Sequence, residues 1–219
     1  MNSKHFFLDG YNINSELLSN VERMHIFIDN INKIIFNNKG KVVIIPYFKG
    51  KIKEDGGVSG IILGDNSHFT CHTFCYKNTY FLDYFGAEKN HNNIKNMALD
   101  IYPTKDYDLC QKNDIEGKFG KHIIIRDANT LTFNESKKLI DNILTEIEMT
   151  PIREVIENKK NEYEYDLLQP IAESHISIHR EKEKTTIDTF SCKWFDEEKL
   201  LNITKSKKYI KVNRGIKYK

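Results

Sequence analysis

IAESHISIH occupies residues 171–179, and GDNSHFTCHTF occupies residues 64–74. Each stretch contains a Ser-His pair and a second histidine four residues after the first. Apolar and polar residues alternate in both, which is the period-two pattern of a β-strand. Because one spacing occurs in both halves of the chain, we predict that the protein contains two copies of one structural unit.

The flanking segments repeat in the same order. KHFFLDG (4–10) corresponds to KHIIIRD (121–127) as a first strand in each copy. Apolar residues that return every three or four positions then predict amphipathic helices over 21–38 and 134–149, with Asn134 as the N-cap of the second. Further strands are predicted over 41–48, 57–65, 79–86 and 185–192.

These elements predict an α+β fold built from two repeated units. We expect each unit to be an antiparallel sheet with helices on one face, and the two units to be related by a pseudo-twofold axis. The polar, turn-rich segment 102–117 marks the boundary. The first repeat therefore spans 1–110 and the second spans 116–219.

Composition excludes several classes of function. The 33 basic and 31 acidic residues leave a formal charge of +2, so we expect no nucleic-acid partner. The basic tail 205–219 is interpreted as a solvated terminal strand. No run reaches the roughly 18 apolar residues of a membrane helix, and the N-terminus lacks a signal-peptide core. Since four cysteines do not make a disulfide framework in a chain this long, we expect a cytoplasmic protein without membrane contact.

The Ser-His segments allow three other interpretations. A strand with its polar residues on a solvent face is the simplest. Zinc binding by His68, Cys71, His72 and Cys75 is disfavoured, because strand alternation directs the histidines and the cysteines to opposite faces. A serine hydrolase is disfavoured because no GxSxG motif accompanies the serines. We predict that the protein binds no metal.

Strand geometry also constrains a catalytic interpretation. Ser174 and His179 are five positions apart, so an extended strand places them on opposite faces and roughly 16 Å apart. They cannot serve one site. If a serine and a histidine act together, we predict that each copy supplies one of them.

The residues resemble a known family. IAESHISIH followed by TIDTFSC (186–192), together with GVSGIILGDNSHFTCHTF (57–74), is similar to the pyruvoyl-dependent S-adenosylmethionine decarboxylases of the bacterial and archaeal type. The resemblance implies the sandwich fold of that family and a zymogen that cleaves its own chain autocatalytically. Cleavage turns a serine into a pyruvoyl cofactor, which binds the substrate amine as a Schiff base and accepts electrons when the carboxylate leaves.

The resemblance also assigns roles. Glu173–Ser174 corresponds to the cleaved bond, Ser174 to the pyruvoyl precursor and Cys192 to the proton donor in catalysis. Ser59 and His72 correspond to the serine and histidine that assist cleavage. The first repeat is therefore degenerate but supplies Ser59 and His72, whereas the second supplies Glu173, Ser174 and Cys192.

Each repeat lacks residues whose roles are assigned to the other repeat. Asn66 stands where the first repeat would need the cleavage glutamate, and no cysteine follows Phe85. Asp166 stands where the second repeat would need the processing serine, although His179 is retained. One complete set of residues therefore remains, divided between the copies.

Substrate identity stays open at this point. The family's ribose-binding glutamate is replaced by Tyr76, and Phe48 is a candidate for stacking on a substrate. The resemblance implies a carboxy-lyase acting on S-adenosylmethionine for spermidine and other polyamines. The alternatives are the same chemistry on arginine or ornithine, and a catalytically inactive partner that regulates such an enzyme. We expect either a monomer equivalent to a two-subunit enzyme or a dimer of it.

Overall fold

The computed structural model describes residues 3–48, 56–109, 120–126, 128, 130–172, 174–206 and 208–214. The chain forms two compact units, Met1–Cys110 and Gln111–Lys219. The elements of the first unit are, in chain order, β1 (Ser3–Gly10), α1 (Ser15–Leu18), α2 (Val21–Ile35), β2 (Lys41–Phe48), β3 (Gly56–Gly64), β4 (Ser67–Phe74), β5 (Thr79–Ala87), α3 (His91–Ile101) and β6 (Tyr107–Asp108). Those of the second are β7 (Gly120–Ile125), α4 (Phe133–Glu146), β8 (Ile156–Lys159), β9 (Tyr165–Ile171), β10 (Ser174–Glu181), β11 (Lys184–Ser191), α5 (Glu197–Thr204) and β12 (Ile210–Arg214).

The two sheets have the same topology, which confirms the predicted repeat. Each has six antiparallel strands, in the order β2-β3-β4-β5-β1-β6 in the first unit and β8-β9-β10-β11-β7-β12 in the second. The Ser-His segments form β4 and β10, which occupy equivalent central positions. The predicted α+β class is therefore correct.

Helices cover one face of each sheet, as the periodicity predicts. In the first unit, α2 and α3 pack on alternate strand residues that include Leu8, Ile62 and Phe69. In the second, α4 and α5 pack on a matching set that includes Ile123 and Ile176. The core of each unit thus lies between its sheet and its helices, where it buries apolar area.

The face of each sheet opposite the helices is also buried, which corrects the solvent-face interpretation. Every residue of β4 from His68 to Phe74 is buried, as is every residue of β10 from Ser174 to Arg180. Strand alternation indicates which face a residue occupies, but it does not indicate whether that face reaches water.

The helices end earlier than the predicted ranges. The first stops at Ile35, and Asn37 and Asn38 follow with φ of 53° and 60°. The second stops at Glu146, and Glu148 follows with φ of 56°. This left-handed backbone conformation cannot continue a right-handed helix.

Two further predictions of local structure were wrong. The second long helix is capped by Thr132 rather than Asn134, and Thr132 and Glu135 form a reciprocal capping box. The tail is not simply solvated, because β12 pairs with β7 and Arg214 is fully buried. The Arg214 guanidinium carbon lies 5.0 Å from the centroid of the Phe190 ring. Among the described residues, no helix combines the length and the apolar character needed to cross a membrane.

Replacing Thr132 with Ala tests the helix cap. The variant loses a side-chain acceptor for the Glu135 N–H, so we expect the free energy of unfolding to fall by about 1 kcal/mol in urea denaturation. Asn134→Ala is the matched control, and its effect should stay within about 0.5 kcal/mol of zero. A larger loss at Asn134 than at Thr132 would contradict the cap seen in the structure.

Candidate active site

Ser59 and His72 meet in the first unit. Ser59 lies on β3 directly opposite His72 on β4, and the Ser59 Oγ is 2.8 Å from the His72 Nδ1. Ser59 is 3% exposed and His72 is 2% exposed, so water competes little for this hydrogen bond. A hydroxyl bonded to an imidazole in such a setting can pass a proton to or from a third group.

The equivalent pair in the second unit has different chemistry. Asp166 on β9 lies opposite His179 on β10, with the Asp166 Oδ1 2.7 Å from the His179 Nδ1. The Asn158 amide donates a further hydrogen bond of 3.3 Å to the Asp166 Oδ2. A carboxylate therefore stands at the position that carries a hydroxyl in the first unit. This pair offers a carboxylate acceptor to the imidazole but no hydroxyl group.

Ser174 begins β10 and is held on both sides. It pairs with Ile171 of β9 and with Ser191 of β11, and it is 2% exposed. The Ser174 Oγ lies 3.3 Å from the His175 Nδ1. Only two residues connect Ile171 to Ser174, and one of them, Glu173, lies outside the described residues.

Cys192 directly follows the residue that pairs with Ser174. β11 ends at Ser191, so the predicted strand over 185–192 is one residue too long at this end. Cys192 is half-buried. The chain bends at Cys192 and Lys193, and this bend is called the Cys192 turn. The second unit thus brings Ser174 and the Cys192 turn to one end of the β10–β11 pair.

The two candidate substrate contacts, Tyr76 and Phe48, lie at strand ends of the first unit. Tyr76 lies in a one-turn 3₁₀ helix, Cys75–Lys77, that follows β4. It is 52% exposed, with the Lys77 ammonium 5.4 Å from the centroid of its ring. Phe48 is the last residue of β2, and its side chain lies outside the described part of the structure. Both residues remain predictions.

The zinc interpretation fails on geometry within this segment. Cys71 and Cys75 belong to the core beneath the helices, whereas His68 and His72 occupy the opposite face of β4. Burial raises the pKa of the Cys75 thiol, which favours the neutral form over the thiolate that binds metals. The four side chains therefore do not converge on one point.

Sequence reasoning assigned no role to a buried imidazole–carboxylate cluster in the first unit. The His68 Nε2 lies 2.9 Å from the Asp83 Oδ2, and the His5 Nδ1 lies 3.6 Å from the Asp83 Oδ1. The histidine of the KHFFLDG motif carries the signal, since a polar residue opens an otherwise apolar strand. The cluster places polar partners around a buried carboxylate.

The second unit repeats this cluster at equivalent positions. The His122 Nε2 is hydrogen-bonded to the Asp188 Oδ1, and the rings of His122 and His175 lie 5.9 Å apart, centroid to centroid. His122 also stacks on Phe190, with ring centroids 5.2 Å apart. The duplication therefore extends to buried polar residues as well as to the strands.

The structure defines a class of protein made of two similar α+β units. One unit contains the buried Ser59–His72 pair, and the other contains Ser174, whose strand partner Ser191 directly precedes Cys192. The sequence profile of the family described as S-adenosylmethionine decarboxylase matches residues 4–108 and 126–212. The chain belongs to the S-adenosylmethionine decarboxylase family, which confirms the resemblance, and membership implies a decarboxylase-like activity. Comparison with individual curated proteins gives no significant match.

Proposed function

We propose that the protein is a self-processing, pyruvoyl-dependent decarboxylase of S-adenosylmethionine that supplies the aminopropyl donor for spermidine and other polyamines. The observation that carries the proposal is a difference between the units in the group that is hydrogen-bonded to the second histidine of each Ser-His strand. At equivalent strand positions, the first unit has a hydroxyl–imidazole pair and the second has a carboxylate–imidazole pair, whereas the Glu173–Ser174 bond and Cys192 belong to the second unit. In this proposal Ser59 and His72 act on Glu173–Ser174, and the units contribute to one composite site.

The proposed cleavage uses the chain's own atoms. The Ser174 Oγ attacks the carbonyl carbon of Glu173, the C–N bond breaks, and the nitrogen takes up the hydroxyl proton, which leaves an ester. Removal of the Ser174 Cα proton then expels the Glu173 carboxylate from Cβ. Water releases ammonia from the remaining enamine and leaves a ketone. His72 is the proposed base for the Cα proton, and Ser59 donates a hydrogen bond to the oxyanion.

The surroundings of Ser174 fit a pyruvoyl group. Because Ser174 is the first residue of β10 and its backbone pairs with both neighbouring strands, a break before it creates a chain end without interrupting a strand. A pyruvoyl group at residue 174 would supply a carbonyl that can act as an electron sink in decarboxylation. Cys192 is proposed to hold the proton that is delivered to the product carbon.

We further propose a cytoplasmic enzyme that acts on a small amino-acid-type substrate without nucleic-acid or membrane partners. It would work as a monomer equivalent to a two-subunit enzyme, or as a dimer of such monomers. Tyr76 and Phe48 are the proposed substrate contacts. The Tyr76 side chain is 52% exposed, which supports access by a ligand.

Cleavage can be tested by the mass of the intact protein. Wild-type chains should appear as fragments 1–173 and 174–219, the second blocked by pyruvoyl, while Ser174→Ala should stay whole and inactive. The fragments should separate only under denaturing conditions, because β7 of the large fragment lies between β11 and β12 of the small one. A wild-type chain that stays whole and inactive would favour the regulatory alternative instead.

A pair of histidine variants tests the proposed division between units. We expect His72→Asn to slow cleavage by roughly 10²–10⁴-fold, the usual contribution of a general acid or base. The matched control is His179→Asn in the second unit, where Asn can still hydrogen-bond to Asp166 and cleavage should proceed at the wild-type rate. Equal effects of the two variants on the time course of cleavage would contradict the assignment.

Substrate choice can be tested by carbon dioxide release. The cleaved protein should decarboxylate S-adenosylmethionine, whereas arginine and ornithine should give only background release. Ser174→Ala, incubated with each compound in the same way, measures that background. Release from arginine or ornithine alone would replace the proposed substrate, and cleavage without release from any of the three would require a different one.

A further inference from the structure

The turn that carries Cys192 is held by the hydroxyl of the preceding residue. The Ser191 Oγ accepts a hydrogen bond of 3.0 Å from the Lys193 N–H and donates one of 2.9 Å to the Lys193 carbonyl oxygen. Ser191 is completely buried. Because both backbone groups of Lys193 are bonded to one side chain, the peptide units on either side of Lys193 have little freedom, and the first of them directly follows Cys192. This matters because Cys192 lies beyond the last strand residue and has no place in the sheet ladder.

Gly120, on the neighbouring strand β7, packs closely against the backbone of the same turn. A Cβ at Gly120 would lie 2.4 Å from the Ser191 carbonyl oxygen and 3.1 Å from the Cys192 Cα. Backbone atoms cannot move aside as the end of a side chain can, so only glycine permits this approach. The first residue of β7 therefore packs directly against the backbone of the turn.

A third contact comes from residues 148–153, the segment between α4 and β8. The Lys193 ammonium donates a hydrogen bond of 2.7 Å to the Glu148 carbonyl oxygen, and the Ser191 Oγ lies 3.4 Å from the Met149 Sδ. Contacts of this segment therefore restrain the turn at the residues immediately before and after Cys192.

The same segment also holds the chain just before Ser174. The Ala172 N–H donates a hydrogen bond of 2.8 Å to the Thr150 carbonyl oxygen. The Gln169 amide donates to the carbonyl oxygens of Arg153, at 2.8 Å, and Pro170, at 2.7 Å. Residues 148–153 thus connect the strand end that precedes Ser174 with the turn that carries Cys192.

We propose that Ser191 is a positioning residue whose hydroxyl holds the Cys192 thiol at the distance and angle needed for proton delivery beside residue 174. This inference rests on the proposed function and adds a residue to it. Cleavage is assigned to Ser59 and His72, whereas Ser191 is assigned only to the placement of Cys192, so its loss should affect decarboxylation and spare self-cleavage. A misplacement of about 1 Å in a reacting group can lower a rate by roughly 100-fold.

Ser191→Ala is the central variant, and Thr189→Val is its matched control. Thr189 lies two residues earlier on the same face of β11 and is equally buried, and its Oγ1 makes no hydrogen bond within the described part of the chain. Both variants delete one buried hydroxyl. Ser191→Thr keeps the hydroxyl and should restore the wild-type behaviour.

Three measurements separate positioning from a general structural effect. Ser191→Ala should cleave at the wild-type rate, as followed by intact mass. Its kcat for S-adenosylmethionine should fall by roughly 100-fold with little change in KM. Alkylation of Cys192 by iodoacetamide, followed by peptide mass, should become faster because the turn opens, and it should not change in Thr189→Val.

Defined outcomes would overturn the inference. An unchanged kcat and alkylation rate in Ser191→Ala would show that the hydroxyl does not position Cys192, and equal losses in cleavage and kcat would indicate a general defect. If Ser191→Ala does not fold, Gly120→Ala displaces the same backbone from the opposite side and should give the same separation of cleavage from turnover. If wild-type protein neither cleaves nor decarboxylates, the proposed function fails, while the alkylation comparison still tests the contact itself.

Discussion

The register of one hairpin, present in both units, determines the chemistry available to this protein. A two-residue connection joins β3 to β4 and β9 to β10, so Gly64 pairs with Ser67 and Ile171 pairs with Ser174. This register sets Ser59 opposite His72 in the first unit. A slip of one residue would turn every side chain of the strand to the other face and would separate the serine from the histidine.

The two units keep the same register although the residues at two positions of the hairpin differ. Asn66 occupies the hairpin connection of the first unit with φ of 48°, a left-handed conformation that asparagine adopts more easily than most residues. At the position equivalent to Ser59, Asp166 carries a carboxylate instead of a hydroxyl and is hydrogen-bonded to the opposing histidine.

Many polar groups are buried in this architecture, and each needs a hydrogen-bond partner. A buried donor or acceptor without a partner costs about 1–3 kcal/mol. The imidazole–carboxylate clusters around Asp83 and Asp188 meet this demand with contacts between neighbouring strands. The proposed catalytic groups lie on strands or directly beyond a strand end, where rigid backbone pairing limits their motion. The Cys192 turn lacks that pairing, which is why side-chain contacts from Ser191 and its neighbours matter there.

The sequence by itself determined the duplicated architecture, the strand and helix periods, the family resemblance and the candidate residues, because these depend on local spacing and on comparison between the two halves. It also determined that Ser174 and His179 occupy opposite faces of one strand. Only the tertiary structure decided that Ser59 and His72 touch, that Thr132 caps α4, that Arg214 is buried and that residues 148–153 connect Ala172 with the Cys192 turn. Each of these depends on which particular atoms meet in the folded chain, whereas periodicity indicates only the face of an element that a residue occupies.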